Sequence, residues 1–308
     1  MVMPSWGLCK VSSVVLALGL AASTARAAVP ERYEVEATVD RASATVTARV
    51  RITVRLEPDE GHVRLWLYPE RLRETPRAMD ERSWRWIFPG EVDRGGLEVR
   101  GLTVDGVAVE PETIRAAPGD PRGQDVAGTD LRVPARGERV TIALELTLRV
   151  PGRFGRLGRA GELLSAAAPW YPLVVGEDDA FDFDATHDVA VRAPGAELSL
   201  GAARFEGEGR VTRRGAYVPL TVAPRLHERR IEALGATLVL RSASPIPTRP
   251  PPARRGEAGL IDLTDVDLET RIREVAVEAI RTARAFGIEV PPEIVMTPIP
   301  SRTELVAT

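Results

Sequence analysis

Between Ala44 and Leu56, apolar and polar residues alternate without a break. Ala44, Val46, Ala48, Val50, Ile52, Val54 and Leu56 stand two apart, with Thr45, Thr47, Arg49, Arg51, Thr53 and Arg55 between them. A period of two sends successive side chains to opposite faces of an extended chain, so this run specifies a strand with one dry face and one wet face. The same period occurs upstream at Tyr33, Val35, Ala37 and Val39, and Asp40-Arg41-Ala42-Ser43 supplies a turn between the two runs. A long antiparallel hairpin is expected. Further strands are predicted at residues 63–67, 140–150, 189–191, 196–200, 217–222 and 237–240. A hairpin at 97–109 is closed by Asp105-Gly106, the favoured chemistry for a two-residue turn. Many short strands divided by turns predict a mainly β fold, either a sandwich or a saddle-like set of antiparallel sheets.

The pattern changes after residue 244. Residues 245–256 carry Pro245, Pro247, Pro250, Pro251 and Pro252. Such a run cannot continue a sheet and forms an extended spacer. Beyond it the period becomes helical. Asp265 or Asp267 can cap a helix whose stripe is Leu268, Ile272, Val275, Ala276, Ala279, Ile280, Ala283 and Phe286, and Gly287 can close it. Residues 293–297 then read as a short strand. The expected organisation is an all-β domain at 28–243, a proline-rich linker at 244–259, and the start of an α/β domain at 260–308. One helix and one strand cannot bury their own apolar faces.

The first 27 residues read as a secretory signal. Lys10 gives the positive charge, residues 11–22 give an apolar run, and Ala25-Arg26-Ala27 gives the small-x-small cleavage pattern. The run is shorter than the ~20 residues that span a bilayer, so cleavage before Ala28 and export are expected, with no integral membrane span afterwards. Cys9 is the single cysteine and leaves with this segment, so the mature chain has no disulfide and no cysteine nucleophile or ligand. Lys10 and Arg26 leave too, and 39 basic residues then face 44 acidic ones, a formal net charge of −5. With no basic tail, the balance argues against nucleic-acid binding.

Residues that could carry chemistry are few. Zinc needs three or four converging His, Cys or carboxylate ligands, and H-E-x-x-H places two histidines on one helical face. The chain has His62, His187 and His227, far apart in sequence, and His227-Glu228 is followed by Arg229-Arg230-Ile231 with no second histidine. No metal ligand and no catalytic residue is therefore assigned. Glu177, Asp178, Asp179, Asp182 and Asp184 form an acidic loop. It lacks EF-hand spacing and reads as solvated, with calcium as the alternative. Gly152, Gly155, Gly158 and Gly161, with Arg153, Arg156 and Arg159 between them, lack the strand–loop–helix setting of a phosphate loop and read as flexible loop. Trp84-Arg85-Trp86 and Trp170-Tyr171 read as packing elements, with stacking on a sugar or peptide as the alternative. Ser165, Ser242, Ser244 and Ser301 have no G-x-S-x-G setting.

The order of segments resembles the aminopeptidase N family of zinc peptidases, relatives of leukotriene A hydrolase. The opening YEVEATVDRASATVTARVRITVRL is similar to that family's first hairpin, WYPLVV at 170–175 to a segment of its bacterial members, and ALGATLVLRS at 233–242 to its last β segment. The helix ending in Phe286-Gly287 and followed by EIVMTPIP resembles the start of its catalytic domain. The likeness covers about residues 31–305 and rests on order and pattern. The family's G-x-M-E-N and H-E-x-x-H motifs, which lie further along in its members, do not occur in these 308 residues. The resemblance thus implies a saddle-shaped β domain that caps the cleft of an exported metallopeptidase, cut short before the zinc motif and inactive by itself. Zinc is expected only in a full-length relative, and a peptide substrate or the missing catalytic domain would be the partner. A stand-alone exported β-sandwich binding a peptide, a glycan or a protein is the alternative.

Overall fold

The computed structural model describes residues 28–58, 60–72, 87–114, 130–175, 185–245, 267–296 and 298–300. The predicted signal segment, Trp84-Arg85-Trp86, the acidic loop 177–184, Ser301 and most of the proline spacer lie outside the described residues. Within them the chain is mainly β.

The alternating run forms β2 (Thr45–Arg55), antiparallel to β1 (Val29–Asp40) on one side and to β8 (Arg139–Arg149) on the other. The registers align apolar residues in rows across the three strands: Tyr33–Ile52–Ile142, Val35–Val50–Leu144, Ala37–Ala48–Leu146 and Val39–Val46–Leu148. These residues are buried, and each large aliphatic among them contributes about 1.5–3 kcal/mol on burial. The sheet extends past β8 to β4 (Gly96–Val104) and β5 (Val107–Ala108), which are joined by the Asp105-Gly106 turn. A second sheet, in the order β11 (Leu173–Val174), β3 (His62–Trp66), β7 (Asp130–Pro134), β6 (Glu112–Ile114), shares this core through Val63, Leu65 and Val133. Glu70, buried in the short 3-10 helix Tyr68–Leu72, accepts a hydrogen bond from Leu97 N at 2.8 Å and ties the end of β3 to β4.

The other flank of the large sheet is built on β12 (Thr186–Leu200). Its first half pairs parallel to β1, in register from Arg32↔Thr186 to Thr38↔Arg192. The register then shifts between Arg192 and Glu197, and the second half pairs antiparallel with β14 (Leu220–Ala223). β13 (Ala203–Arg214) lines β12 along both halves, and β10 (Leu163–Ala166) and β9 (Leu157–Ala160) continue the sheet beyond β14. The sequence separates 189–191 from 196–200, whereas the structure joins them in one strand whose irregularity carries the chain from one part of the sheet to the next. Such a bulge bends a strand without ending it.

Two expectations meet differences here. The glycine-rich stretch read as a flexible loop folds at 157–160 into β9, paired with β10. Gly158 is there because a Cβ at that position would lie 2.1 Å from the Arg153 carbonyl oxygen. The second difference concerns the C-terminal elements. The helix α1 (Leu268–Ala285), capped by Asp267, and the strand β17 (Glu293–Met296) form where expected. They do not stand alone. β17 pairs parallel to β16 (Ala236–Ser242), itself antiparallel to β15 (His227–Ala233), and α1 covers this three-stranded sheet. The hairpin assigned by sequence to the β domain thus shares a core with the elements beyond the linker. Ala276 and Ile280 are buried there, but Val275 and Phe286 of the predicted stripe are exposed, because a three-stranded sheet covers only one side of the helix.

Gly158→Ala should lower stability by about 1–3 kcal/mol through overpacking against the Arg153 carbonyl. Gly90→Ala, at an exposed position with nothing within 4 Å of a new Cβ, should change it by less than about 0.5 kcal/mol. Urea unfolding of the two variants checks this.

Candidate functional site

The wet face of the large sheet is a trough. On β1, β2, β8 and β4 the residues between the apolar rows are mostly charged or hydroxylated, and the registers align them as well. Glu36, Arg49, Glu145 and Arg100 form one row of alternating charge, and Thr38, Thr47, Thr147 and Glu98 form the next. Two adjoining depressions of about 450 and 600 Å³ lie along these rows and share Glu36, Arg49 and Glu145. Arg49 Nε donates to Glu145 Oε1 at 3.3 Å, and Arg32 Nε lies 3.0 Å from Glu34 Oε1. These exposed pairs contribute little to stability. At one end Asp188 receives Arg210 at 2.8 and 2.7 Å and Arg32 at 3.0 Å, with Thr212 donating at 3.3 Å. The Arg210 hydrogen bonds hold its carboxyl below the usual carboxylate range. An antiparallel sheet commonly leaves one face in water, and this one offers donors and acceptors of both signs to a polar or zwitterionic chain.

On the dry side of the same strand, His187 sits among aromatic rings. It is Tyr33's direct partner in the β1–β12 register, and the rings stack with centroids 4.4 Å apart and planes 4° from parallel. Its Nε2 lies 2.8 Å from the Gly215 carbonyl oxygen and its Nδ1 2.9 Å from Tyr171 Oη. The carbonyl can only accept, so Nε2 carries the proton. Tyr171 Oη accepts from Val218 N and donates its own proton to Nδ1. Tyr33 Oη accepts from Val174 N at 2.9 Å. Trp170, edge-on to Tyr171, donates from Nε1 to the Val218 carbonyl. Both nitrogens of His187 are taken and its ring is buried, so the group is a structural pin. Burial, assisted by the Arg213 charge, lowers its pKa to about 4.

The remaining sequence candidates fall in different places. His62 opens β3 and His227 opens β15, so the three histidines lie on three separate sheets. Among the described residues no three His, Cys, Asp or Glu side chains group so as to hold a metal ion. A zinc ligand set therefore does not fit the described part of this chain. Ser165 Oγ donates to the Pro298 carbonyl, and Ser242 Oγ accepts from Ser244 N. Trp170 and Tyr171 are packing residues, fully buried. Sequence reasoning passed over Asp188 and its arginines. The signal available was a single acid flanked by His187 and Val189 in a strand, with the basic partners far away in the chain. Among the described helices none is long and apolar enough to cross a membrane.

No protein-family model matches the chain, and no curated protein matches it. Among solved structures it is similar to a mutant of the M1 zinc metallopeptidase from Deinococcus radiodurans, with 16% identity and a TM-score of 0.47, over 87% of this chain and 56% of that one. It is also similar to an aminopeptidase N family protein from Idiomarina loihiensis, with 10% identity and a TM-score of 0.40, over 85% and 38% of the two chains. Native leukotriene A4 hydrolase from Saccharomyces cerevisiae shows 11% identity and a TM-score of 0.39, over 70% and 31%. The chain thus spans roughly a third to a half of the length of these structures.

The unfolded imidazole takes up its proton near pH 6.5 and the folded one near pH 4. The stabilisation from keeping His187 neutral is complete above pH 6.5 and is lost as pH falls from 6.5 to 4, by up to about 3 kcal/mol. His187→Gln should be less stable at pH 7.5 and should lose this part of the pH slope. Denaturant unfolding of both forms at pH 4.5 and 7.5 reads the difference.

Proposed function

We propose that this chain supplies the non-catalytic, substrate-capping β module of an exported zinc aminopeptidase of the aminopeptidase N type, together with the first elements of its α/β unit. The observation that carries this reading is the junction. The antiparallel hairpin β15–β16 runs on through α1 into β17, which returns parallel to β16. A β module leading into an α/β unit is the order that the sequence resemblance implies. In this reading the β module covers one side of a cleft and helps to hold the amino end of a peptide substrate.

The zinc belongs to an H-E-x-x-H helix, a motif these 308 residues do not contain. Where bound, that metal lowers the pKa of a water to make the nucleophile. No step of hydrolysis is assigned to this chain. Its partners are the peptide and the catalytic domain, and residues 1–27 direct it out of the cytoplasm. The polar trough favours a second reading, an exported β protein that binds a peptide, a glycan or a protein partner unaided.

The chain as given should bind no stoichiometric zinc after dialysis and should not hydrolyse aminoacyl anilides. Metal analysis and a chromogenic assay check both, and one zinc per chain with chelator-sensitive turnover would overturn the assignment. Sequencing the gene beyond codon 308 separates the two readings. Codons for G-x-M-E-N and H-E-x-x-H, in frame or frameshifted, fit the peptidase module, and their absence leaves the binding protein.

A further inference from the structure

Beyond the bulge in β12 both faces of the large sheet are covered. Leu164, Val222 and Leu198 align across β10, β14 and β12 and face the main core. The next row, Ser165, Thr221 and Ser199, faces the other way, and all three residues are buried. Three hydroxyls side by side on a dry surface are costly unless each finds a partner.

Two of the three find theirs on the second unit. Ser199 Oγ donates to the Gly201 carbonyl and accepts from Arg241 Nη1 on β16 at 2.7 Å. Arg241 is itself buried, with its Nε 3.3 Å from Glu228 Oε2. Ser165 Oγ donates to the Pro298 carbonyl at 2.9 Å. Close by in sequence, Gly155 N donates to the Pro300 carbonyl at 3.1 Å. Thr221, between the two serines, has no partner for its Oγ1 among the described residues.

The chemistry of the held segment matches that of its holder. Pro298-Ile299-Pro300 has two prolines without N–H groups, so it presents carbonyls almost exclusively. The large sheet meets it with donors, one hydroxyl and one loop N–H. Pro298 and Pro300 are buried against it while Ile299 points to solvent, so alternate residues of an extended segment face the sheet. The apolar contact beside this seam is small: Leu163, Ala223 and Leu226, with Ala243 against them.

We propose that Ser165 and Gly155 form a two-donor clamp for the segment Pro298-Ile299-Pro300, and that this clamp, with the Arg241–Ser199 contact, positions the β15–β17 unit on the large sheet. The surface is built for an extended, proline-alternating strand and is filled by the chain's own segment. Ser165 is a positioning residue whose hydroxyl exists to take a carbonyl.

Amide hydrogen exchange on the whole chain tests it, with Thr221→Val as the control, since Thr221 shares the row and the burial of Ser165 but has no partner among the described residues to lose. In the unmutated chain the Gly155 amide should exchange slowly despite its place in a loop. Ser165→Ala should speed exchange at Gly155 and across residues 293–296 by about three- to tenfold, the loss of one ordinary hydrogen bond, while β1, β2 and β8 keep their protection. Thr221→Val should leave all of these unchanged. Fast exchange at Gly155 in the unmutated chain, or an equal response to Ser165→Ala and Thr221→Val, would overturn the clamp.

Discussion

The pairing of β1 with β12 is the joint on which the large sheet depends. Its partners lie more than 150 residues apart in the chain, as in Tyr33↔His187, and among the described strands of that sheet it is the parallel pairing. Everything from β5 to β1 lies to one side of it, and β12, β13, β14, β10 and β9 lie to the other. Parallel pairing is slightly weaker per residue than antiparallel, and closing so long a loop costs entropy. Side chains reinforce the joint on both faces. On the dry face Tyr33 stacks on His187, whose hydrogen bonds reach Tyr171 and Gly215. On the wet face Asp188 gathers Arg32 from β1 and Arg210 from β13. Removing one partner there would strand a buried polar group, which costs more than the bond itself contributes.

What lies past the joint follows from the bend in β12. Once the strand turns to pair with β14, its two faces meet two different neighbours, the main core on one side and the β15–β17 unit on the other. That is why β10 and β14 are buried at every position. It also explains how one chain can carry an open polar trough and a closed polar seam on the same sheet. The trough is open among the described residues, since none of them covers the outer rows of β1, β2 and β8. The seam is dry because the second unit sits on it.

Much of this was legible in the sequence, and the reason is local. β1, β2 and β8 bury one face and wet the other, so their alternation is unbroken, and the Asp105-Gly106 turn carries its own signature. β13 was missed because it is an edge strand with Gly207 and Gly209 on its inner face, leaving only half-buried Phe205 and Val211 as apolar markers. β10 was missed for the opposite reason, since Leu163-Leu164-Ser165-Ala166 is buried throughout and shows no period. The helix and the strand that follow the linker were readable, but their partner was not. Parallel pairing of β17 to β16 skips about fifty residues and leaves no local trace. The pin around His187 was invisible for the same reason. Tyr33, Tyr171, His187 and Gly215 converge only in three dimensions, and a lone histidine at an apolar position of a strand is all that the chain displays.

His187 is a neutral, fully hydrogen-bonded pin at the joint between β1 and β12. With three histidines in the chain, an NMR titration of the imidazole resonances, with His187 assigned by substitution, tests it most directly. His187 should hold its proton on Nε2 at neutral pH and titrate near pH 4, or unfold the chain before it does. A His187 ring that titrates near 6.5 in the folded protein, like a free imidazole, would contradict it.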